Sequence, residues 1–364
     1  MEIGSAEQGR KLRLQRLQVI ETGEGLLLKR GRVVVQVQGA QSAQIAQALL
    51  TIAAEGEATR TELTEPFPPP VRPAVEQLID MLESRRLLSD ASRAEPMDRP
   101  EEPLDVFYWH FDRQVEEVAR SFARARITVL GVNCVSRRLV EALRQSGMLA
   151  VEVVDYPLLA NVRLFREEGQ PATEHWPEWL GDVRPYRDWL NATGGRETGC
   201  LVATSDFGGQ HLLRTWNEHC LREGVQFLPV VLQDLIGTVG PLVVPGESAC
   251  LECLRARENA QMDDPETRRT AEYAAYQGQV VSAFHPSMAS ILGDIAAMEL
   301  VKLHGHVMRS RLVGRLIEVN LALPAITERR VLKLPRCAAC GSVTHRSPVS
   351  GDSVAFMPGH EVVR

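Results

Sequence analysis

Two cysteine pairs that lie far apart in the sequence restrict the fold of this chain more than any other feature. Cys250-Leu-Glu-Cys253 and Cys337-Ala-Ala-Cys340 each place two thiols at the spacing with which a pair holds one side of a tetrahedral metal ion. If the fold brings the pairs together, four sulfur atoms surround one ion, and zinc is the metal that such a ligand set favours. Because four sulfur ligands leave no open coordination position, we predict a structural zinc site that clamps the C-terminal segment to the sheet.

Two further explanations of these pairs are buried thiols that pair by chance and a redox-active Cys-x-x-Cys motif. A redox motif opens a helix in a thioredoxin-like unit and needs no second copy. The chain has seven cysteines, and an odd number with this spacing indicates metal binding in a reducing compartment rather than a disulfide framework. We expect the other three, Cys134, Cys200 and Cys220, to be small core residues.

The charge and hydropathy of the chain exclude several classes of partner. The 41 Lys and Arg against 47 Asp and Glu give a net charge of −6, which provides no overall field to attract nucleic acid or an anionic membrane. No apolar run approaches the roughly 20 residues that span a bilayer, and the N-terminus MEIGSAEQGRKLRLQ lacks the apolar core of a secretory signal. We therefore predict a cytoplasmic protein with no nucleic-acid and no membrane partner.

Residues 1–90 are predicted to form a winged-helix-like module. Alternating apolar residues and glycine turns predict strands at Leu14–Ile20, Gly25–Lys29 and Arg32–Gln38. Helices follow, and the residues that we expect to be buried on them are Ile45, Ala48, Leu49 and Ile52 in Ser42–Ala54, and Val75, Leu78, Ile79 and Leu82 in about Val71–Leu88.

A charged, proline-bearing stretch predicts a linker over residues 91–124, and a second domain follows at 125–345. Strands and helices alternate in this domain, which predicts parallel strands with crossover helices in a doubly wound, mostly parallel α/β sheet. A long helix is predicted over Pro286–His304, with Ile291, Ala296, Ala297 and Leu300 on its buried face. Residues 346–364 are predicted to be an irregular tail. The predicted strands are Ile127–Val132, Val151–Asp155, Cys200–Asp206, Gln226–Leu232 and Pro241–Val244.

The second domain resembles the ubiquitin-activating-like superfamily of ThiF, MoeB and HesA type. The matching segments occur in the family order and include both cysteine pairs: VLGVNCVSRRL, VEVVDY, ATSDFGGQHLLRTWNEHC, GTVGPLVVPGESACLECL, ASILGDIAAMELVKLHG, RLIEVN and LPRCAACG. The resemblance implies a ThiF-like sheet domain.

Adenylating members of that superfamily use a glycine-rich first loop, two acids after the second strand and an aspartate after a later strand. Gly131, Asp155 and Asp206 stand at such positions, but the loop continues Val-Asn-Cys and Pro157 replaces the second acid. Phosphate binding needs close backbone approach and positive φ, which these bulky residues resist. We therefore predict that the three positions are vestigial, that Asp206 is a strand-end or helix-capping carboxylate rather than a magnesium ligand, and that the chain binds no ATP and has no catalytic residue.

The first domain looks like the PqqD-like module that recognises leader peptides of ribosomally made, modified peptides. Such modules bind the leader as an added strand, through main-chain hydrogen bonds and apolar pockets beside a helix. A DNA-reading winged helix is the alternative, but basic residues on the predicted helix VRPAVEQLIDMLESRRLL are balanced by acids. The residues predicted to bind the leader are Arg32, Val33, Val34, Val35, Gln36 and Val37 on the strand, and Val75, Leu78, Ile79 and Leu82 on the helix.

A leader-recognition module before a degenerate ThiF-like domain resembles the partner protein of azole-forming YcaO-type cyclodehydratases, in the class of modified peptides that includes bacteriocins. The resemblance implies a precursor leader and a separate YcaO-type enzyme as partners, a flavin-dependent azoline dehydrogenase as a further one, and a homodimer. An active ThiF-like adenylating enzyme and a transcriptional regulator are the rival hypotheses.

Overall fold

This computed structural model describes residues 9–93, 99–161, 164, 175–192, 198–276, 283–308, 310–323 and 325–341. The predicted tail at 346–364 lies outside these residues. The chain divides into two compact units between Glu117 and Val118.

The first unit contains two three-stranded antiparallel sheets, ordered β2-β3-β4 and β5-β1-β6. The winged-helix-like assignment stays a prediction. Its elements are β1 (Lys11–Leu14), β2 (Gln18–Thr22), β3 (Gly25–Arg30), β4 (Val33–Gln38), α1 (Ala40–Ala54), β5 (Ala58–Thr59), α2 (Arg60–Thr64), α3 (Arg72–Ser84), β6 (Leu88–Asp90) and α4 (Pro103–Trp109), and α5 (Val115–Arg124) crosses the division between the units.

The first predicted strand, Leu14–Ile20, is wrong. Its residues belong to two strands in two different sheets, with a break between them at Gln15. The side chain of Gln15 donates to the Ser89 hydroxyl at 2.8 Å, and its N–H donates to the Leu87 carbonyl at 2.9 Å. These long-range bonds turn the chain from one sheet to the next.

Buried faces were predicted for two helices of the first unit, and one of the two buries a different face. On α3 the predicted set Val75, Leu78, Ile79 and Leu82 is buried, as the period of 3.6 residues requires. On α1 the buried residues are Ala46, Leu49, Leu50 and Ala53. The helix is therefore turned by about one residue, roughly 100°, so that small alanines face the core while the isoleucines flank it.

Helix α3 ends four residues before its predicted end. Arg86 follows the helix with a φ of 59°, its N–H donates to the Glu83 carbonyl, and the N–H of Leu87 reaches back to the Leu82 carbonyl. This is the geometry of a left-handed helix terminus, which stops the helix whatever the apolar pattern beyond it.

Part of the predicted linker is folded. Helix α4 begins with a capping box between Glu102 and Asp105, and Asp105 also accepts two hydrogen bonds of 2.7 Å from Arg99. Trp109, at the end of α4, is buried in the core of the first unit. The charges that indicated a linker here form caps and ion pairs around a short apolar helix.

The second unit has a mixed α/β architecture with one eight-stranded sheet, ordered β14-β13-β12-β11-β10-β7-β8-β9. The strands from β9 to β11 are parallel, and β12, β13 and β14 join antiparallel. Its elements are β7 (Ile127–Leu130), α6 (Cys134–Gln145), β8 (Val151–Asp155), β9 (Val183–Pro185), α7 (Tyr186–Ala192), β10 (Cys200–Ser205), α8 (Arg214–Glu223), β11 (Gln226–Gln233), β12 (Ile236–Val239), α9 (Leu251–Ala260), α10 (Pro265–Tyr276), α11 (Pro286–His304), β13 (Arg315–Asn320) and β14 (Ala325–Arg330).

The prediction of a strand over Pro241–Val244 is wrong. The strand at this place is β12, which pairs antiparallel with β11, and only an isolated bridge joins Val243 to Phe227. Pro241 has no N–H to continue a ladder, so the strand ends before it.

Helix α11 occupies the predicted range and packs against α6. Gly293 lies directly against α6, since a Cβ there would lie 2.9 Å from the Cβ of Arg138 and the N of Leu139. Ala296, Ala297 and Leu300 are buried as predicted, whereas the prediction that Ile291 is buried is wrong, because 42% of the residue is exposed. No helix in the described part of the chain is both long and apolar enough to cross a membrane.

Candidate functional site

The loop between β7 and α6 stands where nucleotide-binding folds hold phosphate. Gly131 begins it with a φ of 95°, and its N–H donates to the Val154 carbonyl at 3.0 Å. Asn133 follows in an extended conformation and is the N-cap of α6. The single glycine therefore serves the turn out of the strand, and the rest of the loop is a helix cap.

The buried side chain of Asn133 fills the start of α6. Its Oδ1 accepts from the N–H groups of Val135 and Ser136 at 3.1 and 3.0 Å. Its Nδ2 donates to the carbonyls of Leu159 and Thr204 at 3.0 and 2.9 Å. The Ser136 hydroxyl in turn accepts from the Asn133 N–H at 2.9 Å. This reciprocal cap leaves one donor of the first turn, the N–H of Cys134.

The carboxylate of Asp206 accepts a hydrogen bond from that last donor. Its Oδ2 accepts from the Cys134 N–H and from Asn161 Nδ2, both at 2.9 Å, and the residue is 1% exposed. The negative carboxylate therefore stands at the positive end of the helix dipole, where a phosphate would bind. All four N–H groups from Asn133 to Ser136 have partners within the protein.

The segment after β8 lies against the same loop. The Asn161 N–H donates to the Val132 carbonyl at 2.8 Å. A Cβ on Gly131 would lie 2.8 Å from the Cβ of Leu159. The segment from Leu159 to Asn161 therefore packs directly on the loop.

Asp155 ends β8 and has a different environment from Asp206. It is partly buried, and its Oδ1 has no hydrogen-bond partner among the described residues. Burial raises the pKa of this carboxyl above its usual range. Of the three vestigial positions predicted from the sequence, Gly131 and Asp206 meet at the loop through Asn133 and Cys134, whereas Asp155 holds an unused acceptor.

The four paired cysteines meet in the second unit. Their sulfur atoms all lie within 4.8 Å of one another, and all four residues are buried. The Sγ atom of Cys250 is 3.9 Å from that of Cys253 and 3.8 Å from that of Cys337, and Cys253 is 3.6 Å from Cys340. Tetrahedral zinc with bonds of about 2.3 Å spaces its sulfur ligands by roughly 3.8 Å. The cluster therefore fits a tetrahedral metal ion and is too open for disulfides.

The pKa shifts of the thiols in the cluster are those expected of ligands for a positively charged ion. Cys250 donates a hydrogen bond to Cys253 and, together with the Leu334 N–H at 3.4 Å, lowers the pKa of the Cys253 thiol to about 4. The same bond raises the pKa of Cys250, and burial raises that of Cys340 to about 11. One thiolate is stabilised by its neighbours, and an ion of positive charge is what would stabilise the other three.

Of the three cysteines outside the pairs, which were all predicted to be core residues, two are buried and Cys134 is not. Cys200 and Cys220 are buried, and burial raises the pKa of the Cys200 thiol to about 12. Cys134 is half-buried at the first position of α6.

The predicted leader-binding strand is the edge strand β4. Within the described residues it pairs on one side only, with β3. Val35 and Val37 are buried, while Val34 and Gln36 are exposed, and Arg32 lies in the turn before the strand. The predicted helix residues Val75, Leu78, Ile79 and Leu82 are all part of the core, together with Val33 at its margin. On this edge the strand therefore presents the exposed side chains of Val34 and Gln36 and, within the described residues, a main chain with no further strand.

Sequence reasoning missed the roles of Asn133 and Asn161. An N-cap signal was present, because Asn133 stands three residues before Ser136 at the start of an apolar pattern. Asn161 carries no such local signal, because its partner Asp206 is 45 residues away in the sequence.

Comparisons with known proteins agree on the fold. No protein-family model matches this sequence, and no curated protein sequence matches it. The crystal structure of E. coli MccB with ATP matches with a TM-score of 0.65 at 17% identity, over 91% of this chain and 99% of that chain. The microcin C7 biosynthetic enzyme MccB in complex with N-formylated MccA matches with a TM-score of 0.67 at 16% identity, over 91% of this chain and 100% of that chain.

The chain has the fold of MccB. A heterocyclase in complex with substrate and cofactor matches with a TM-score of 0.55 at 18% identity, over 91% of this chain and 40% of that chain. In the MccB-like fold of this chain, the Gly131 loop lies at the carboxyl end of β7, the edge at which open α/β sheets bind ligands. The side chains that bond the N–H groups of this loop therefore lie at the edge of the sheet where a ligand would bind.

Proposed function

We propose that this chain captures the leader of a ribosomally made precursor peptide and delivers it to a separate YcaO-type, ATP-dependent cyclodehydratase. That enzyme makes thiazoline or oxazoline rings from Cys, Ser or Thr. The observation that carries the proposal is the contrast between the two candidate sites. An edge strand is open to a further strand, whereas every N–H of the first turn of α6 already has a partner.

The peptide-binding half of the proposal rests on β4. Main-chain donors and acceptors on an unpaired edge supply affinity for an extended peptide whatever its sequence, and exposed side chains add selectivity. The solved structure of MccB with N-formylated MccA supports a peptide partner, since it has the same fold. We place the precursor contact on Val34 and Gln36, with Val33, Val35, Val37 and the α3 residues forming the base of the site.

The scaffold half of the proposal rests on Asp206. A carboxylate already satisfies the helix end that would bind phosphate, so the sheet serves as a docking structure and not as an ATP site. The match to a heterocyclase supports a place beside ring-forming chemistry, because there the fold is part of a longer chain. We further infer a homodimer and, after ring formation, a flavin-dependent azoline dehydrogenase as a later partner.

The Cys250, Cys253, Cys337 and Cys340 cluster is inferred to hold one structural Zn²⁺. Its sulfur spacing is that of tetrahedral thiolate coordination. The ion would tie the C-terminal cysteine pair to the start of α9.

Calorimetry with a synthetic peptide tests the proposal. The peptide is the N-terminal segment of a candidate precursor, chosen by a search for short reading frames near the gene for this chain. Val34→Pro deletes an outward N–H of β4, which an edge strand tolerates, and we expect up to about tenfold weaker binding from the loss of one hydrogen bond. Val34→Thr keeps the N–H and the strand preference and is the matched control. Equal binding by both variants would refute the edge site.

An adenylating enzyme is the second candidate. The solved structure of MccB with ATP favours this function. Asp155 of this chain, whose Oδ1 is unused, favours it too. Titration of the chain alone with Mg-ATP separates the two functions, since micromolar binding would overturn the scaffold proposal.

A further inference from the structure

His110, the residue after α4, lies against the turn that joins β3 to β4. Its Nε2 accepts the main-chain N–H of Arg32 at 3.2 Å. Gly31 has a φ of 54°, and a Cβ on it would lie 2.4 Å from the same Nε2. The imidazole ring therefore rests directly on the backbone of the turn.

The direction of the Arg32 N–H follows from the hairpin. Arg30 and Val33 pair across a two-residue turn, so their N–H and carbonyl groups face each other. Along an antiparallel strand this orientation alternates. The main-chain N–H and carbonyl groups of Val35 and Val37 then face β3, while those of Arg32, Val34 and Gln36 point outward. His110 Nε2 therefore occupies the place that a carbonyl of an added strand would take.

A stack of charged and aromatic groups holds His110 in this place. Two guanidinium groups lie over the Trp109 ring, with Arg30 Cζ at 4.8 Å and Arg86 Cζ at 5.6 Å from its centroid. Its indole N–H donates to the Arg86 carbonyl at 3.2 Å, and Arg86 Nη2 donates to the His110 carbonyl at 2.9 Å. Arg30 is itself buried and ion-paired with Glu101. Both the backbone and the neighbour of His110 are therefore fixed.

We propose that His110 closes the turn end of the β4 edge, so that a peptide strand added there pairs with Val34 and Gln36 and stops before Arg32. This inference rests on the proposed leader site and specifies its register. The occupant is an extended segment of the precursor, because only a strand can use the open main-chain groups of β4. His110 is thus a positioning residue that sets where the peptide strand ends.

The charges around His110 make the contact sensitive to pH. Arg86, Arg32 and Arg30 face the ring, with Asp112 paired to Arg86 at 3.9 Å. Burial and then these guanidinium groups lower the pKa of His110 from its usual 6.5. The ring is therefore neutral at pH 7 and accepts the Arg32 N–H. When the pH falls through the lowered pKa, Nε2 gains a proton and the acceptor is lost.

Amide hydrogen exchange of the peptide-free protein, followed by NMR, tests the contact without any ligand. We expect the Arg32 amide to be protected at pH 7.5 and to lose about tenfold of its protection factor in His110→Ala, as for one hydrogen bond. His110→Gln should retain protection at every pH, whereas the wild type should lose protection as the pH falls through the lowered pKa of His110. Gln44→Ala, exposed on α1, is the surface control. An Arg32 amide that exchanges equally fast in wild type and His110→Ala would overturn the proposal.

The same spectra with the leader peptide test the register. In the wild type the peptide should protect Val34 and Gln36 and leave Arg32 unchanged, while in His110→Ala it should also protect Arg32. A peptide that displaces His110 and pairs with Arg32 in the wild type would refute the proposal that the peptide strand ends before Arg32. A peptide that binds neither protein would refute the proposed function, and the result without peptide would still stand.

Discussion

The carboxylate of Asp206 accepts a hydrogen bond from the N–H of Cys134 at a distance of 2.9 Å. The two residues are 72 positions apart, and their contact joins the end of β10 to the start of α6. Because a carboxylate carries the charge sign of a phosphate, this contact gives the helix end an internal anion in place of a ligand.

Removal of that internal anion is expected to destabilise the protein and to open an anion site. Asp206→Ala leaves the Cys134 N–H and the Asn161 amide without an acceptor, and we expect a loss of about 1–3 kcal/mol in the free energy of unfolding. Urea denaturation measures it, and inorganic phosphate should raise the melting temperature of Asp206→Ala alone. Asp206→Asn, which keeps an acceptor oxygen, is the matched control. Unchanged stability of Asp206→Ala would contradict the capping role.

Loss of one thiolate from the cysteine cluster is expected to release the metal. Cys250→Ser should purify with less than one equivalent of zinc by elemental analysis and should melt at a lower temperature than the wild type. Cys200→Ser, a buried cysteine outside the cluster, should keep the full metal content. Wild-type protein that contains no metal after purification from zinc-supplemented cells would exclude the site.

A methyl group at Gly293 is expected to separate α6 from α11. Alanine improves helix propensity by about 1 kcal/mol, but its Cβ would lie 2.9 Å from the Leu139 nitrogen, a contact that only a backbone shift can relieve. We therefore expect Gly293→Ala to lower the free energy of unfolding by roughly 1–3 kcal/mol. Ser290→Ala, on the same helix, is the control, and a stabilised Gly293→Ala would show that the helices can move apart freely.

The stability contributed by Asp155 is expected to depend on pH. Burial raises the pKa of its carboxyl in the folded state, so its contribution is fully present below the unfolded pKa and is lost as the pH rises through the folded pKa. Asp155→Asn removes the buried charge and should raise the melting temperature at pH 7 by up to about 2 °C, with no gain near pH 3. Thermal melts across this pH range measure the effect. A gain of the same size at both ends would assign it to packing.

The sequence by itself determined the features that depend on spacing within one element. The period of α3 identified its four buried residues, and the limits of α11 and β8 follow from a proline entry and an apolar run. The two cysteine pairs indicated a four-sulfur cluster, because spacing within a pair fixes how each pair can hold an ion. Local periodicity records burial since all side chains of one face share the same neighbours.

Only the tertiary structure decided which groups occupy the two candidate sites. Asp206 and Asn161 reach the start of α6, and His110 reaches Arg32 over 78 residues of sequence. No local pattern encodes such contacts, because they depend on how separate elements pack and on where a turn directs one N–H. The sheet and the cysteine cluster are therefore predictable from the sequence. The bonded loop between β7 and α6 and the contact of His110 at the β4 edge arise from packing between distant segments.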